Sequence, residues 1–170
     1  TKKPFDVHLM ATPADSWIEP LKDAGCDRVL IHLTLGDDVA RVIQSIHARA
    51  MSVGLVLTPQ NEATAVLPYL DQIDVINVMT VDPGFGGQMF LHTMMPKVTR
   101  VRELIGSRPV DLSVDGGLTP ETAKLAIRAG ANCIVAGTSI FKADKKNYDA
   151  AIKALRDAAS FAVQKLPETV

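Results

Sequence analysis

The chain has 170 residues, of which 47% are hydrophobic and 22% charged, and its formal net charge is −1 at pH 7. This length suits one domain with a substantial core, so we expect residues 1–170 to form a single domain. The near-neutral charge argues against nucleic-acid and membrane-surface partners, and no apolar run approaches the roughly 18 residues needed to cross a bilayer.

Six strand-like apolar segments alternate with helical patterns along the chain. The predicted strands cover residues 5–10, 28–33, 53–57, 74–81, 111–114 and 133–136. The predicted helices lie after residue 13, after residue 36, around 65–70, and at 94–105, 120–128 and 148–165. Because the connections are short and the strands mostly apolar, the pattern predicts a parallel sheet covered by helices.

Polar residues and glycines that could serve a functional site lie at the C-terminal ends of four of these strands. They are His8, Asp82 with the glycines after it, Asp115 and Gly137. An open doubly wound sheet concentrates its site at one switch point, whereas a barrel gathers all its strand ends around one mouth. We therefore predict an α/β fold of the (β/α)8 TIM-barrel type. Since that barrel has eight strands, we expect the six units here to be strands 3 to 8, with two more units before Thr1.

A glycine-rich loop follows the fourth predicted strand. It reads Asp82-Pro83-Gly84-Phe85-Gly86-Gly87-Gln88, with three glycines in four residues. The exposed backbone N–H groups of such a loop would suit a phosphate. A tight turn that needs glycine for steric reasons alone explains the same sequence.

The strand period of two places His8 and Met10 on one face of the first strand and turns Asp115 to the inner face of the fifth. His8 could bind a metal ion or polarise a substrate oxygen, or it could be a hydrogen-bonded core residue. Asp115 could be a metal ligand or a proton shuttle, or it could cap the following turn. If these strands are the third and seventh of a barrel, His8 and Asp115 face each other across its mouth.

Other candidates have simpler readings. His32 is expected to have a hydrogen-bonded structural role. Asp82 could be a third carboxylate of the site, but Asp-Pro before glycines first indicates a turn. Met10 and Met79 point towards the mouth, where they could shield a reaction from water, although core packing is the default role of Met. The cluster at residues 142–146 is most simply a solvated loop.

Four motifs together resemble the ribulose-phosphate 3-epimerase family. They are Asp6-Val7-His8-Leu9-Met10, the segment 78–88, Val114-Asp115-Gly116-Gly117 and Ala136-Gly137-Thr138-Ser139-Ile140-Phe141, in this order over essentially the whole chain. The resemblance implies a (β/α)8 barrel that interconverts D-ribulose 5-phosphate and D-xylulose 5-phosphate in the pentose phosphate pathway, with a divalent metal. The metal would be Zn, Fe or Mn, and ligand type alone does not choose among them.

The same resemblance implies roles for individual residues. His8 and Asp115 correspond to metal ligands, His8 also to a substrate contact and Asp115 also to one of two acid/base carboxylates. The substrate- and phosphate-binding positions match Gly84, Phe85, Gly86, Gly87, Gly116, Gly117, Gly137 and Thr138. The expected partner is a small sugar phosphate. By analogy with related barrels, the protein is expected to form a homo-oligomer. The expected compartment is the cytoplasm, and an organelle is the alternative.

The chain also departs from the family pattern. The first two strands of the family carry a substrate-contacting serine, a metal-binding histidine and the second acid/base aspartate, which have no counterpart before Thr1. His32-Leu33-Thr34 stands where the family usually has His-x-Glu. Two alternatives therefore stay open: an inactive barrel fragment that retains a sugar-phosphate site, and an epimerase of a related ketose phosphate.

Overall fold

Six parallel strands form one sheet in the computed structural model, which describes residues 2–142 and 147–164. The strands are β1 (Asp6–Leu9), β2 (Arg28–His32), β3 (Ser52–Leu57), β4 (Val75–Met79), β5 (Asp111–Asp115) and β6 (Cys133–Val135). Each strand pairs in parallel with the next in sequence. A doubly wound sheet would reverse its strand order at a switch point, so this sequential order confirms a TIM-barrel-like parallel α/β arrangement, seen here as a half-barrel.

Helices cover the outer face of the sheet. They are α1 (Asp15–Asp23), α2 (Val39–His47), α3 (Met95–Ile105), α4 (Pro120–Arg128) and α6 (Tyr148–Gln164), while the four-residue helix α5 (Thr138–Phe141) follows the carboxyl end of β6. The helix predicted around residues 65–70 is instead a 3₁₀ segment, Ala63–Tyr69, which contains Pro68 and so lacks one backbone donor. The predicted end of the last helix, Lys165, lies outside the described residues. None of the helices in the described parts of the chain has the length and apolar character of a membrane span.

Local sequence signals explain where α4 begins. The Thr119 side chain accepts a hydrogen bond from the Thr122 backbone N–H, and the Thr122 hydroxyl accepts one from the Thr119 backbone N–H. Pro120 occupies the first helical turn, where its missing N–H costs nothing. This reciprocal cap places the start of α4 directly after the turn that follows β5.

The two faces of the sheet bury different sets of side chains. On the outer face, fully buried strand residues such as Val29, Ile31, Ile76 and Leu112 pack in the main core with the helices. Each such side chain contributes about 1.5–3 kcal/mol when buried. A smaller inner cluster contains Leu30, Val56, Val75, Met79 and Val81. The strand register aligns Met79 with Asp115 and Asp115 with Val135, so the inner face ends in a row of side chains at the carboxyl edge.

Candidate active site

A cavity of about 710 Å³ opens at the carboxyl ends of the strands. It is lined by every residue that the sequence nominated for a site: His8, Met10, Met79, Gly84, Phe85, Gly86, Gly87, Asp115, Gly116, Gly117, Gly137 and Thr138. They come together because parallel strands bring all their carboxyl ends to one edge of the sheet. The predicted site residues therefore share one cavity with residues that the sequence did not nominate, among them Phe90, His92 and Ser139, and their roles stay predictions.

His8 and Asp115 approach each other at the base of the cavity. His8 Nδ1 lies 3.6 Å from Asp115 Oδ2, and the two side chains are only 20% and 28% exposed. On the other side of the same ring, His8 Nε2 lies 2.6 Å from His32 Nε2, and the two rings are stacked with their centroids 4.8 Å apart. His8 thus bridges a carboxylate and a second imidazole.

His32 is buried, at 8% exposed, on the last residue of β2. Burial, and secondly the neighbouring His8, lower the pKa of His32 from 6.5 to about 4. His32 is therefore neutral at pH 7. The short contact between the two Nε2 atoms is a hydrogen bond, in which the N–H of one imidazole donates to the bare nitrogen of the other. This contact gives His32 the hydrogen-bonded role expected for it.

The His8–Asp115 pair has the chemistry of a partial metal site. An imidazole and a carboxylate are suitable ligands for Zn²⁺, Fe²⁺ and Mn²⁺. When each metal–ligand bond is about 2.1 Å long, two ligand atoms on the same ion lie about 3 Å apart. The observed 3.6 Å is close to that separation. The 2.6 Å contact between His8 and His32 leaves no room for an ion between those two nitrogens. Within the described ranges, no group of three or more His, Cys, Asp or Glu residues is arranged to hold an ion.

Thr80 holds the end of β5 in place beside Asp115. Its backbone N–H donates to the Asp115 carbonyl at 2.8 Å, and its hydroxyl donates to the carbonyls of Gly116 at 2.6 Å and Asp115 at 3.1 Å. Thr80 is fully buried. The sequence analysis missed this residue, although a polar residue just after an apolar strand was a signal that could have found it.

Gly116 and Gly117 have a steric reason to be glycine. A side-chain carbon on Gly116, whose φ is +121°, would lie 2.6 Å from Val81 Cγ2. One on Gly117, whose φ is +65°, would lie 2.6 Å from the backbone N of Phe90. The turn after Asp115 therefore packs directly against the segment that follows β4.

Glutamine side chains hold the glycine-rich loop. Gln88 Nε2 donates to the carbonyls of Asp82 at 2.8 Å and Phe85 at 2.9 Å, which ties the two ends of the loop together. Gln60 Nε2, from the loop after β3, donates to Asp82 Oδ1 at 3.1 Å. The Asp82 side chain thus accepts a hydrogen bond from a distant loop, a contact that had no local signal.

Comparisons with known proteins agree with these observations. A model of the ribulose-phosphate 3 epimerase family matches residues 1–141. The ribulose-phosphate 3-epimerase of Rhodobacter capsulatus is 41% identical over 166 residues, which cover 95% of this chain and 72% of the relative. The cytoplasmic isoform from Oryza sativa subsp. japonica is 44% identical over 147 residues, which cover 84% of this chain and 64% of the relative.

A solved structure of a 3-hexulose-6-phosphate synthase is similar to this chain with a TM-score of 0.65 and 24% identity, over 86% of this chain and 68% of that one. This likeness shows a shared fold. The chain spans 72% and 64% of the lengths of the two curated relatives.

Proposed function

The chain belongs to the ribulose-phosphate 3-epimerase family, and on that premise we propose that it interconverts D-ribulose 5-phosphate and D-xylulose 5-phosphate by inverting the configuration at C3. The observation that carries the proposal is the approach of His8 Nδ1 and Asp115 Oδ2 to 3.6 Å within a cavity walled by a glycine-rich loop. A carboxylate beside an imidazole, in a cavity walled by a glycine-rich loop, suits a proton transfer on a sugar phosphate.

Inversion next to a carbonyl needs proton transfer on both faces of the carbon. One group removes the C3 proton from one face, and a second group returns a proton to the opposite face. We assign one of these two roles to Asp115. Its backbone is held by Thr80, and its side chain is 28% exposed, so the carboxylate is positioned yet open to a substrate in the cavity.

His8 and Asp115 would hold the divalent ion on which the family depends, as part of a larger ligand shell. A bound ion would supply positive charge to the oxygen on which negative charge develops during proton removal. His32 supports the site by contacting His8 through Nε2, which leaves His8 Nδ1 on the side of Asp115. A second partner on the far nitrogen commonly fixes the orientation of a ligating imidazole.

The substrate phosphate would bind between the glycine-rich loop and the start of α5. The loop supplies Gly84, Phe85, Gly86 and Gly87, and the opposite wall is formed by Gly116, Gly117, Gly137 and Thr138. Backbone N–H groups at glycines can approach a phosphate closely, since no side chain intervenes. Met79, which is 5% exposed, would help exclude water from the reacting end, while Met10, which is 57% exposed, lines the more open part of the cavity.

The wider setting follows from the same family membership. We propose that the six strands belong to a single-domain (β/α)8 barrel, because their sequential parallel order is that of the barrel. The cytoplasm is proposed as the compartment, supported by the name of the rice relative. A homo-oligomer without nucleic-acid or membrane partners is proposed from the near-neutral charge and by analogy.

Replacement of Asp115 by Asn tests the proposal. In the full-length protein, Asp115→Asn should reduce exchange of the C3 proton with deuterated solvent by at least about 100-fold, because the amide cannot accept the proton. Proton NMR of ribulose 5-phosphate measures this exchange. The control, Asp23→Asn, removes an exposed carboxylate at the end of α1 and should leave exchange unchanged.

Normal exchange and turnover in Asp115→Asn would refute the assignment. A coupled assay that compares ribulose 5-phosphate with hexulose 6-phosphates tests the substrate. Faster turnover of a hexulose 6-phosphate would replace the proposed substrate with that sugar.

A further inference from the structure

A lysine lies beside the glycine-rich loop that walls the cavity. Lys142 follows α5 directly, and its backbone N–H donates to the Thr138 carbonyl at 3.0 Å, which closes the last turn. Because Thr138 and Lys142 are four residues apart in a helical turn, their side chains lie on the same side of it. The turn therefore presents a hydroxyl and an ammonium group in one direction.

Both groups reach the same part of the loop. A side-chain carbon at Gly87 would lie 3.6 Å from Lys142 Nζ and 3.8 Å from Thr138 Oγ1. A side-chain carbon at Gly86 would also lie 3.8 Å from Thr138 Oγ1. The ammonium group of Lys142 thus lies against the backbone that forms one wall of the proposed phosphate site.

An unsatisfied hydroxyl lies beside these groups. Ser139 lines the cavity, and its Oγ is buried without a hydrogen-bond partner. In the described parts of the chain, no ion pair involves Lys142. The Lys142 ammonium group, next to the loop backbone at Gly87, is therefore available to an oxyanion bound against the loop.

We infer that Lys142 is a phosphate-binding residue of this site and sets its affinity for phosphorylated substrates, an inference that rests on the proposed function. The ammonium group offsets part of the charge of a phosphate dianion, and lysine binds phosphate as a point charge. The sequence placed Lys142 in a solvated loop with residues 143–146, which lie outside the described residues. Its approach to Gly87 is a tertiary contact.

The role predicts a characteristic kinetic effect. The phosphate does not react at C3, so Lys142 would bind the ground state and the transition state equally. Loss of its charge should therefore raise KM and leave kcat unchanged. Because the contact is electrostatic, it should also weaken as ionic strength rises.

The experiment compares Lys142→Gln, Lys142→Arg and the control Lys22→Gln in the full-length protein. Lys22 is exposed in the last turn of α1, so the control makes the same change of charge outside the cavity. Isothermal titration calorimetry with inorganic phosphate measures anion binding without any need for catalysis. Lys142→Gln should weaken phosphate binding by about five- to twentyfold, raise KM by a similar factor and keep kcat. Lys142→Arg should retain most of the affinity.

Two outcomes separate this inference from the proposed function. If the wild type turns over ribulose 5-phosphate, and Lys142→Gln stays within threefold of Lys22→Gln in phosphate binding and KM, the inference about Lys142 is overturned. If the wild type shows no epimerase activity while Lys142→Gln alone loses phosphate affinity, the proposed function fails and Lys142 remains an anion-binding residue.

Discussion

Replacing Gly117 by alanine tests whether the turn after Asp115 requires glycine for packing. At a φ of +65°, an added Cβ would lie 2.6 Å from the backbone N of Phe90 and 2.8 Å from its Cα. A left-handed backbone costs a residue with a Cβ about 1–2 kcal/mol. Displacing a packed backbone adds about 1–3 kcal/mol. Gly117→Ala should therefore lower the free energy of unfolding by about 2–5 kcal/mol.

Gly25→Ala is the matched control. Gly25 also has a positive φ, +85°, but a Cβ there would meet no atom within 4 Å. The control therefore carries only the backbone cost of about 1–2 kcal/mol. The expected difference between the two variants, about 1–3 kcal/mol, isolates the contact between Gly117 and Phe90.

Urea unfolding followed by circular dichroism measures both free energies. Thermal melts should show a transition about 2–12 °C lower for Gly117→Ala than for Gly25→Ala, given the usual shift of about 2–4 °C per kcal/mol for a protein of this size. Equal destabilisation by the two substitutions would refute the packing explanation. Gly117 would then be needed for its backbone conformation alone.

Two further perturbations address the residues around Asp115 and His8. Thr80→Val removes the hydroxyl that donates to the carbonyls of Gly116 and Asp115. Urea unfolding should show a free energy of unfolding lower by about 1–2 kcal/mol, and exchange of the C3 proton should be slower. Unchanged values of both would contradict the positioning role of Thr80. The second perturbation is pH. In metal-free protein, the free energy of unfolding should fall by up to about 3 kcal/mol as pH drops from 6.5 to about 4. Over this range the unfolded chain binds a proton at His32, whereas burial keeps His32 neutral in the folded chain. His32→Asn should flatten this part of the pH profile, and a profile that keeps its slope would show that other groups cause it.

Much of the site could be predicted because it depends on short-range rules. The period of two along a strand placed His8 and Met10 on the inner face, and both line the cavity. Strand alternation predicted parallel pairing, which then requires the residues after each strand to meet at one edge. The differences from the predicted elements are local. A 3₁₀ segment replaces the helix predicted around residues 65–70, the short helix α5 was not predicted, and several strands end earlier than predicted, with β4 ending at Met79 rather than at residue 81.

The contacts that sequence reasoning missed join distant segments. Gln60 and Asp82 are 22 residues apart, and Thr80 and Gly116 are 36 apart. No periodicity or turn signal links such positions, because the pairing depends on how neighbouring strands and loops lie after folding. The same holds for Lys142, whose chain neighbours indicate only a polar loop, whereas the folded chain brings its ammonium group to Gly87.

The sequence by itself determined the family and the parallel α/β class, and it placed the nominated residues at one edge of the sheet, since hydrophobic periodicity and glycine motifs are local properties of the chain. Only the tertiary structure decided the distances. It brought His8 within 3.6 Å of Asp115, stacked His8 on His32, and gave Gly116 and Gly117 their close neighbours. These distances arise from the packing of strands and loops that are far apart in sequence, and the chemistry proposed for Asp115 depends on them.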